Sequence, residues 1–135
     1  MDASVLLRRV LGAPGFLTEW QDIERPIGSV LVEVECLRVL DRIRIEERRT
    51  EDELASWREA ALAMLGTMEQ IEMSRAVLAR ASEPLPTVLA TLDALHLASA
   101  LVWREATSEE LVVATHDHAL SRAARAHGFP VVGMS

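Results

Sequence analysis

The stretch from Thr91 to Leu120 constrains the fold most strongly, because it joins an amphipathic helix, a short apolar strand and the start of another helix. Apolar residues recur at helical spacing within Thr91–Trp103, which predicts a helix with one buried face, and Thr91 is suited to cap it. Leu111–Ala114 is a continuous apolar run, typical of a buried strand in a parallel sheet. This order of elements predicts an α/β fold.

Each of the two helices carries an aspartate near its beginning. Asp93 lies in the first turn of its helix, where the helix dipole favours a negative charge. Asp117 comes directly after the predicted strand, and binding sites in open α/β sheets lie beyond the carboxyl ends of the strands. Either aspartate alone is explained by helix capping. A functional interpretation therefore requires further carboxylates that converge on the same point.

Asp2 is one such candidate, since it precedes the apolar helical segment Val5–Leu11. If a strand leads into that helix, either it is very short or it begins upstream of Met1. Asp2 would then lie at the carboxyl end of a strand, as Asp117 does. A disordered surface position is the alternative interpretation of a terminal aspartate.

Glutamates in the long apolar helix predicted for Val30–Ile45 supply the other candidate. Glu33 and Glu35 are two positions apart and lie on nearly opposite faces, so only one of them can point into a shared site. For the other, and for most helical glutamates, a solvated position is expected.

The remaining pattern alternates between helices and strands. It predicts helices at Gly15–Glu24, Thr50–Met68, Ser74–Ser82 and Ala119–Ala126, and short strands after Pro26 and at Ile71–Met73 and Phe129–Val132. The alternation predicts a single α/β domain over residues 1–135 with a small, mostly parallel sheet.

Charge and composition limit the class of protein. The net charge is −7, and every one of the 14 basic residues is an arginine, whereas most nucleic-acid-binding domains are basic. The cluster that runs from Arg38 to Arg49 is explained equally well by a salt-bridged helix face or by a phosphate-contacting surface. There is no apolar run long enough to span a membrane and no signal-peptide pattern, and the single cysteine, Cys36, suits a reducing cytoplasm.

Four fragments, in order, resemble the PIN domain, and specifically the VapC ribonuclease toxins of bacterial type II toxin–antitoxin pairs. The fragments are MDASVLL, SVLVEVECLRVLDR, TLDALHLASAL and VVATHDHALSRAARAHG. The resemblance implies a three-layer α/β/α fold with a small, mostly parallel sheet flanked by helices. The departure from the family pattern is the first strand, which is truncated here.

The resemblance also implies the site. The family's acidic cluster corresponds to the catalytic candidates Asp2, Glu35, Asp93 and Asp117, with Ser4 and Thr115 as supporting hydroxyls and with Asp2, Asp93 and Asp117 as metal ligands. Glu35 is preferred to Glu33 because it directly precedes the Cys-Leu-Arg sequence that matches the family's glutamate. A VapB-like antitoxin, an RNA substrate and a homodimer are the partners that the resemblance implies.

The physical chemistry of such a cluster points to a metal-dependent hydrolase. Crowded carboxylates raise one another's pKa unless a cation lies among them, and oxygen-only ligands select Mg²⁺ or Mn²⁺. Such an ion activates a water for attack on a phosphodiester. Arg8, Arg9 and Arg42 are the candidate contacts to RNA phosphates.

Two other interpretations remain open. The His116-Asp117 dipeptide, with His96, His118 and His127, is compatible with a metal phosphohydrolase of the HD type, although those enzymes are all-helical and a strand is predicted before His116. The chain is also compatible with a catalytically silent module that binds a partner through its acidic surface. Divalent-metal dependence of RNA cleavage would separate the silent module from the nuclease.

Overall fold

Helices and short parallel strands alternate along the chain in a computed structural model, which describes residues 1–13 and 18–134. The predicted α/β fold is confirmed. The elements are α1 (Ala3–Leu11), a 3-10 helix (Thr18–Asp22), β1 (Ile27–Ser29), α2 (Leu31–Glu46), α3 (Glu51–Gly66), β2 (Glu69–Ile71), α4 (Arg75–Ala81), α5 (Thr91–Thr107), β3 (Val113–Ala114), α6 (His118–Ala126) and β4 (Val131–Val132).

The strands form two parallel pairs, β1 with β2 and β3 with β4. The first two residues of the chain connect the pairs. The α-amino group of Met1 donates to the carbonyl of Ile27 at 3.0 Å, and the Asp2 N–H donates to the carbonyl of Ala114 at 3.1 Å. Asp2 is therefore held, in an extended conformation, between the two pairs of strands.

The hydrophobic core is divided in the same way. One cluster joins α1, α2 and α3 through residues that include Leu6, Cys36 and Leu65, and burial raises the pKa of the Cys36 thiol to about 12. A second cluster packs α5 and α6 against the segment around Phe129. A small third cluster, centred on Val5 and Ala114, lies between α1 and β3.

Local sequence explains several helix boundaries. The Thr50 hydroxyl accepts a hydrogen bond from the Glu53 N–H at 3.1 Å and caps α3, and the Ser74 hydroxyl caps α4 in the same way. Gly12 ends α1 in the left-handed region, with φ 65°, where a residue without a side chain is favoured.

Other predicted boundaries were wrong. Thr91 is the first residue of α5, and Ala90 occupies the cap position without a side-chain hydrogen bond. The strand predicted at Ile71–Met73 lies at Glu69–Ile71, because its position is set by pairing with β1. The helix predicted at Gly15–Glu24 falls partly outside the described residues, and the described part contains the 3-10 helix.

Candidate active site

Asp2 is the most firmly held of the predicted site residues. It is 7% exposed and forms the N-cap of α1. One carboxylate oxygen accepts hydrogen bonds from the Ser4 N–H at 3.1 Å and the Ser4 hydroxyl at 2.6 Å. The other accepts from the hydroxyl of Thr115 at 2.6 Å. The folded chain therefore fixes both oxygens.

The two hydroxyls that hold Asp2 are themselves oriented by backbone groups. The Ser4 hydroxyl oxygen accepts from the His116 N–H at 3.1 Å, and the Thr115 hydroxyl oxygen accepts from the Asp117 N–H at 3.0 Å. Each hydroxyl thus accepts one hydrogen bond from a backbone N–H and donates its own hydrogen to Asp2. No other orientation of the hydroxyl would make as many hydrogen bonds. The network connects Asp2 to the turn that carries Asp117.

Asp117 caps α6, as predicted from its position after β3. One of its carboxylate oxygens accepts a hydrogen bond from the Leu120 N–H at 2.8 Å. Capping does not exclude a second role, because a carboxylate has lone pairs for about four partners. In the described part of the chain, the other Asp117 oxygen receives no hydrogen bond.

Asp93, in the first turn of α5, differs from both. Partial burial is the main cause that raises the pKa of its carboxyl group, and the nearby carboxylates of Asp117, Asp2 and Glu35 raise it further, whereas His96 opposes them. No hydrogen-bond donor to the Asp93 carboxylate is found within residues 1–13 and 18–134. Asp93 therefore lies within electrostatic reach of all three other predicted acidic residues, without compensation from a donor.

Glu35 enters the site through a contact that the sequence analysis did not predict. His96 Nε2 forms a hydrogen bond with a Glu35 carboxylate oxygen, and His96 Nδ1 lies 3.0 Å from the Ser29 hydroxyl. Glu35, and not Glu33, is the glutamate that contacts His96. The sequence held one signal for this contact, because His96 follows Asp93 by three positions and so lies on the same face of α5.

The acidic residues are of the chemical type that binds a divalent cation. All are oxygen donors, the class of ligand that Mg²⁺ and Mn²⁺ prefer. Asp2 accepts three hydrogen bonds, which leaves about one lone pair for an ion. The acidic side chains are farther apart than the ligands of a complete metal site. No three His, Cys, Asp or Glu side chains in the described residues are grouped closely enough to hold a metal.

A cavity of about 510 Å³ adjoins the site. It runs between β1 and β3, and its lining includes Asp2, Ser29, His96, Leu97 and Val113. Most of its surface is apolar, and its polar lining includes Asp2, Ser29 and His96 of the site as well as Arg25 and Glu109 elsewhere.

The candidate RNA-contacting arginines lie on exposed helix surfaces. Arg8 and Arg9 are in the last turn of α1. Arg42, on α2, pairs with Glu46 at 4.0 Å. Two further ion pairs, of Arg38 and Arg44 with Asp41, hold the pKa of Asp41 below its usual value. The predicted salt-bridged face is therefore present on α2.

The fold and the acidic site define an α/β protein with carboxylates placed near the junction of two parallel pairs of strands. A family profile described as PIN domain matches residues 1–126, and the chain belongs to that family. PIN domains have a nuclease fold and act on nucleic acids. No curated protein matches the chain. The all-helical HD interpretation was wrong, because β3 precedes His116 and the family is a different one.

The structure describes no helix that is long and apolar enough to span a bilayer.

Proposed function

We propose that the protein is a metal-dependent endoribonuclease of the VapC type, the toxin of a type II toxin–antitoxin pair. The observation that supports this proposal is the match of residues 1–126 to the PIN domain family, together with the position of Asp93, whose carboxyl pKa is raised mainly by burial and further by Asp117, Asp2 and Glu35. Four acidic residues from four separate parts of the sequence lie near one another, an arrangement that is costly unless a cation is bound there.

Asp2, Asp93 and Asp117 are the proposed ligands of Mg²⁺ or Mn²⁺. When bound, such an ion supplies positive charge for the scissile phosphate and lowers the pKa of a water. Ser4 and Thr115 keep the Asp2 oxygens in place, so that this carboxylate needs little rearrangement when the ion binds.

Glu35 is the proposed base that orients the attacking water. One of its oxygens is engaged by His96, and the other receives no hydrogen bond in the described structure. The water oxygen would attack phosphorus and give up a proton to Glu35, while the bond from phosphorus to the 3′ oxygen breaks and that oxygen takes a proton from solvent water. The products would be a 5′-phosphate and a 3′-hydroxyl, and the 2′-hydroxyl would take no part.

Single-stranded loops of structured RNA are the proposed substrate, because unstacked bases there are open to a protein. Arg8, Arg9 and Arg42 are the proposed phosphate contacts, which would offset the net charge of −7 near the substrate. Binding should weaken as salt rises, since such contacts release counterions.

The proposed partners are a VapB-like antitoxin and a second copy of the chain, in the cytoplasm. The resemblance to the VapC family supports this part of the proposal. Val34, Leu62, Leu78 and Val88 are exposed apolar side chains that such partners could cover. A monodisperse monomer at tens of micromolar in light scattering would contradict the homodimer.

Analysis of RNA ends tests the reaction. Purified protein, freed of metal and then given Mn²⁺ or Mg²⁺, should cut structured RNA to 5′-phosphate and 3′-hydroxyl ends, and excess EDTA should stop it. Glu35→Gln should lower the rate about 10²- to 10⁴-fold, the range for loss of a general base. Glu33→Gln, two positions away on the same helix, is the matched control and should leave the rate unchanged.

Three outcomes would overturn the proposal in different ways. Cyclic 2′,3′-phosphate ends would mean that the 2′-hydroxyl is the nucleophile. Undiminished cutting in EDTA would contradict metal dependence. Absence of cutting by metal-loaded protein, together with tight binding of a co-expressed small protein, would favour the silent partner-binding module.

A further inference from the structure

We infer that His96 is a positioning residue that fixes the Glu35 carboxylate through a relay of hydrogen bonds starting at the backbone of α2. This inference rests on the proposed nuclease function for its effect on catalysis, although the relay itself is a property of the free protein. The relay runs from the Leu31 N–H to the Ser29 hydroxyl, then to the His96 ring and finally to Glu35.

The bonding partners define one direction for the relay. An ionised carboxylate only accepts hydrogen bonds, so His96 Nε2 must carry the hydrogen that reaches Glu35. In the neutral ring, Nδ1 is then an acceptor, and it takes the hydrogen of the Ser29 hydroxyl at 3.0 Å. The Ser29 oxygen in turn accepts from the Leu31 N–H at 3.2 Å.

Burial makes this relay hard to replace by water. Ser29 is 4% exposed, and the His96 side chain is 7% exposed. The Glu35 side chain is 27% exposed, so it lies at the boundary between the buried relay and the open site. A buried ring nitrogen without a partner loses its hydrogen bond to water and gains none in return, which favours the fully bonded arrangement.

The relay also links the two helices that carry the acidic residues. His96 lies on α5, three positions after Asp93, and Ser29 and Glu35 flank the start of α2. Because His96 is hydrogen-bonded to both Ser29 and Glu35, it fixes the position of the Glu35 carboxylate relative to Asp93. Because one Glu35 oxygen is bound to His96, the other is directed away from the ring and is available to a water.

Two substitutions distinguish this role from simple packing, because each keeps a polar group near only one of the two ring nitrogens of His96. His96→Gln keeps a donor near the position of Nε2, whereas His96→Asn reaches only toward Ser29. We expect His96→Asn to lower kcat about 10- to 100-fold, in the range seen when a supporting hydrogen bond is removed. His96→Gln should retain most of kcat, and KM for RNA should change little in either variant.

Coupling to Glu35 is the decisive kinetic measurement. In a Glu35→Gln background, His96→Asn should cause no further loss of kcat, because the group that it positions has already been neutralised. Equal losses of kcat in His96→Asn and His96→Gln, or fully additive losses with Glu35→Gln, would overturn the positioning role.

Nuclear magnetic resonance of the imidazole nitrogens gives a measurement that does not depend on activity. In metal-free protein with the ring neutral, the hydrogen of His96 should reside on Nε2 and be protected from exchange, and Glu35→Ala should remove that protection. A hydrogen on Nδ1 would overturn the relay whether or not RNA is cut. If the tautomer is as expected and the loaded protein cuts no RNA, the relay stands and the nuclease proposal fails.

Discussion

Asp2 and Asp93 carry the same side chain in the same site, yet the folded chain treats them in opposite ways. Asp2 is almost fully buried and receives three hydrogen bonds from Ser4 and Thr115. Asp93 is less buried and, among the described residues, receives none, while neighbouring carboxylates raise its pKa. Hydrogen bonds from Ser4 and Thr115 stabilise the charge of Asp2, whereas no hydrogen-bond donor in the described residues stabilises the charge of Asp93.

This difference suggests a division of work within the proposed metal site. Asp2 would provide a fixed oxygen whose position is independent of the ion, since hydroxyls oriented by the backbone hold it. Asp93 would gain most from a cation, because it receives no hydrogen bond among the described residues and neighbouring carboxylates raise its pKa against the opposing effect of His96. The energetic effect of metal binding should therefore depend mainly on Asp93.

Replacement of each aspartate by asparagine gives the largest expected effects and tests the comparison directly. Both variants should lose nuclease activity by about 10³-fold or more, since a metal interaction contributes several kcal/mol to the transition state. Their effects on stability in metal-free protein at neutral pH should have opposite signs. Asp2→Asn should destabilise by about 1–3 kcal/mol, because its amide nitrogen cannot accept from a hydroxyl. Asp93→Asn should stabilise and should abolish the gain in melting temperature on adding Mn²⁺.

Asp52→Asn is a matched control for those variants, since Asp52 lies in the first turn of α3 and is exposed. It should cost a few tenths of a kcal/mol through the helix dipole and leave the response to Mn²⁺ intact. Thermal unfolding with and without metal measures all three variants. A destabilising Asp93→Asn would contradict the uncompensated charge.

Removal of the Thr115 hydroxyl has an intermediate expected effect. Thr115→Val keeps the shape but leaves an Asp2 oxygen and the Asp117 N–H without their buried partner, at a cost of about 1–3 kcal/mol. Urea denaturation should detect this as a lower midpoint with an unchanged slope. Thr115→Ser retains the hydroxyl and should recover most of the lost stability. Equal losses in the two variants would mean that packing of the methyl group, and not the hydrogen bonds, holds Asp2.

The smallest expected effect is a pH dependence that belongs to Asp93. A carboxyl group whose pKa is raised on folding stabilises the folded state less as pH rises, from its ordinary value near 3.8 up to its raised value. The stability advantage of Asp93→Asn over wild type, in EDTA, should therefore be small at the acid end of this window and grow toward neutral pH. Denaturation curves for the two proteins across the window measure this difference. A constant difference would contradict the raised pKa.

The sequence predicted those parts of the molecule that depend on neighbouring residues. The helices predicted to begin at Thr50 and Ser74 and the position of Asp117 after a strand follow from local chemistry, and the structure contains all three. The strand at Glu69–Ile71 was misplaced because its register comes from a partner 42 positions earlier, Ile27 with Glu69. Periodicity within a segment carries no information about such pairing.

The same limit applies to the site. The resemblance implied a site of Asp2, Glu35, Asp93 and Asp117, which stays a prediction, and in the structure Asp93 lies within electrostatic reach of the other three. The contact of His96 with Glu35 spans 61 positions, and that with Ser29 spans 67. The sequence offered His96 only as a ligand in the HD interpretation, and it did not predict a contact with Glu35. Only the folded chain, in which α5 packs against β1 and His96 reaches Glu35, identifies its partners.

The attachment of Met1 and Asp2 to both pairs of strands has a consequence for local opening. Two hydrogen bonds, to Ile27 and Ala114, lie at the boundary between the two larger apolar cores, where the small cluster of Val5 and Ala114 packs against Met1. Such a boundary can separate at a lower free energy than either core can unfold. The Asp2 amide should therefore exchange its hydrogen with solvent faster than amides in the middle of α5. Each such opening would withdraw Asp2 from Asp117 while both cores remain folded, so the lifetime of the assembled site would be set by this boundary.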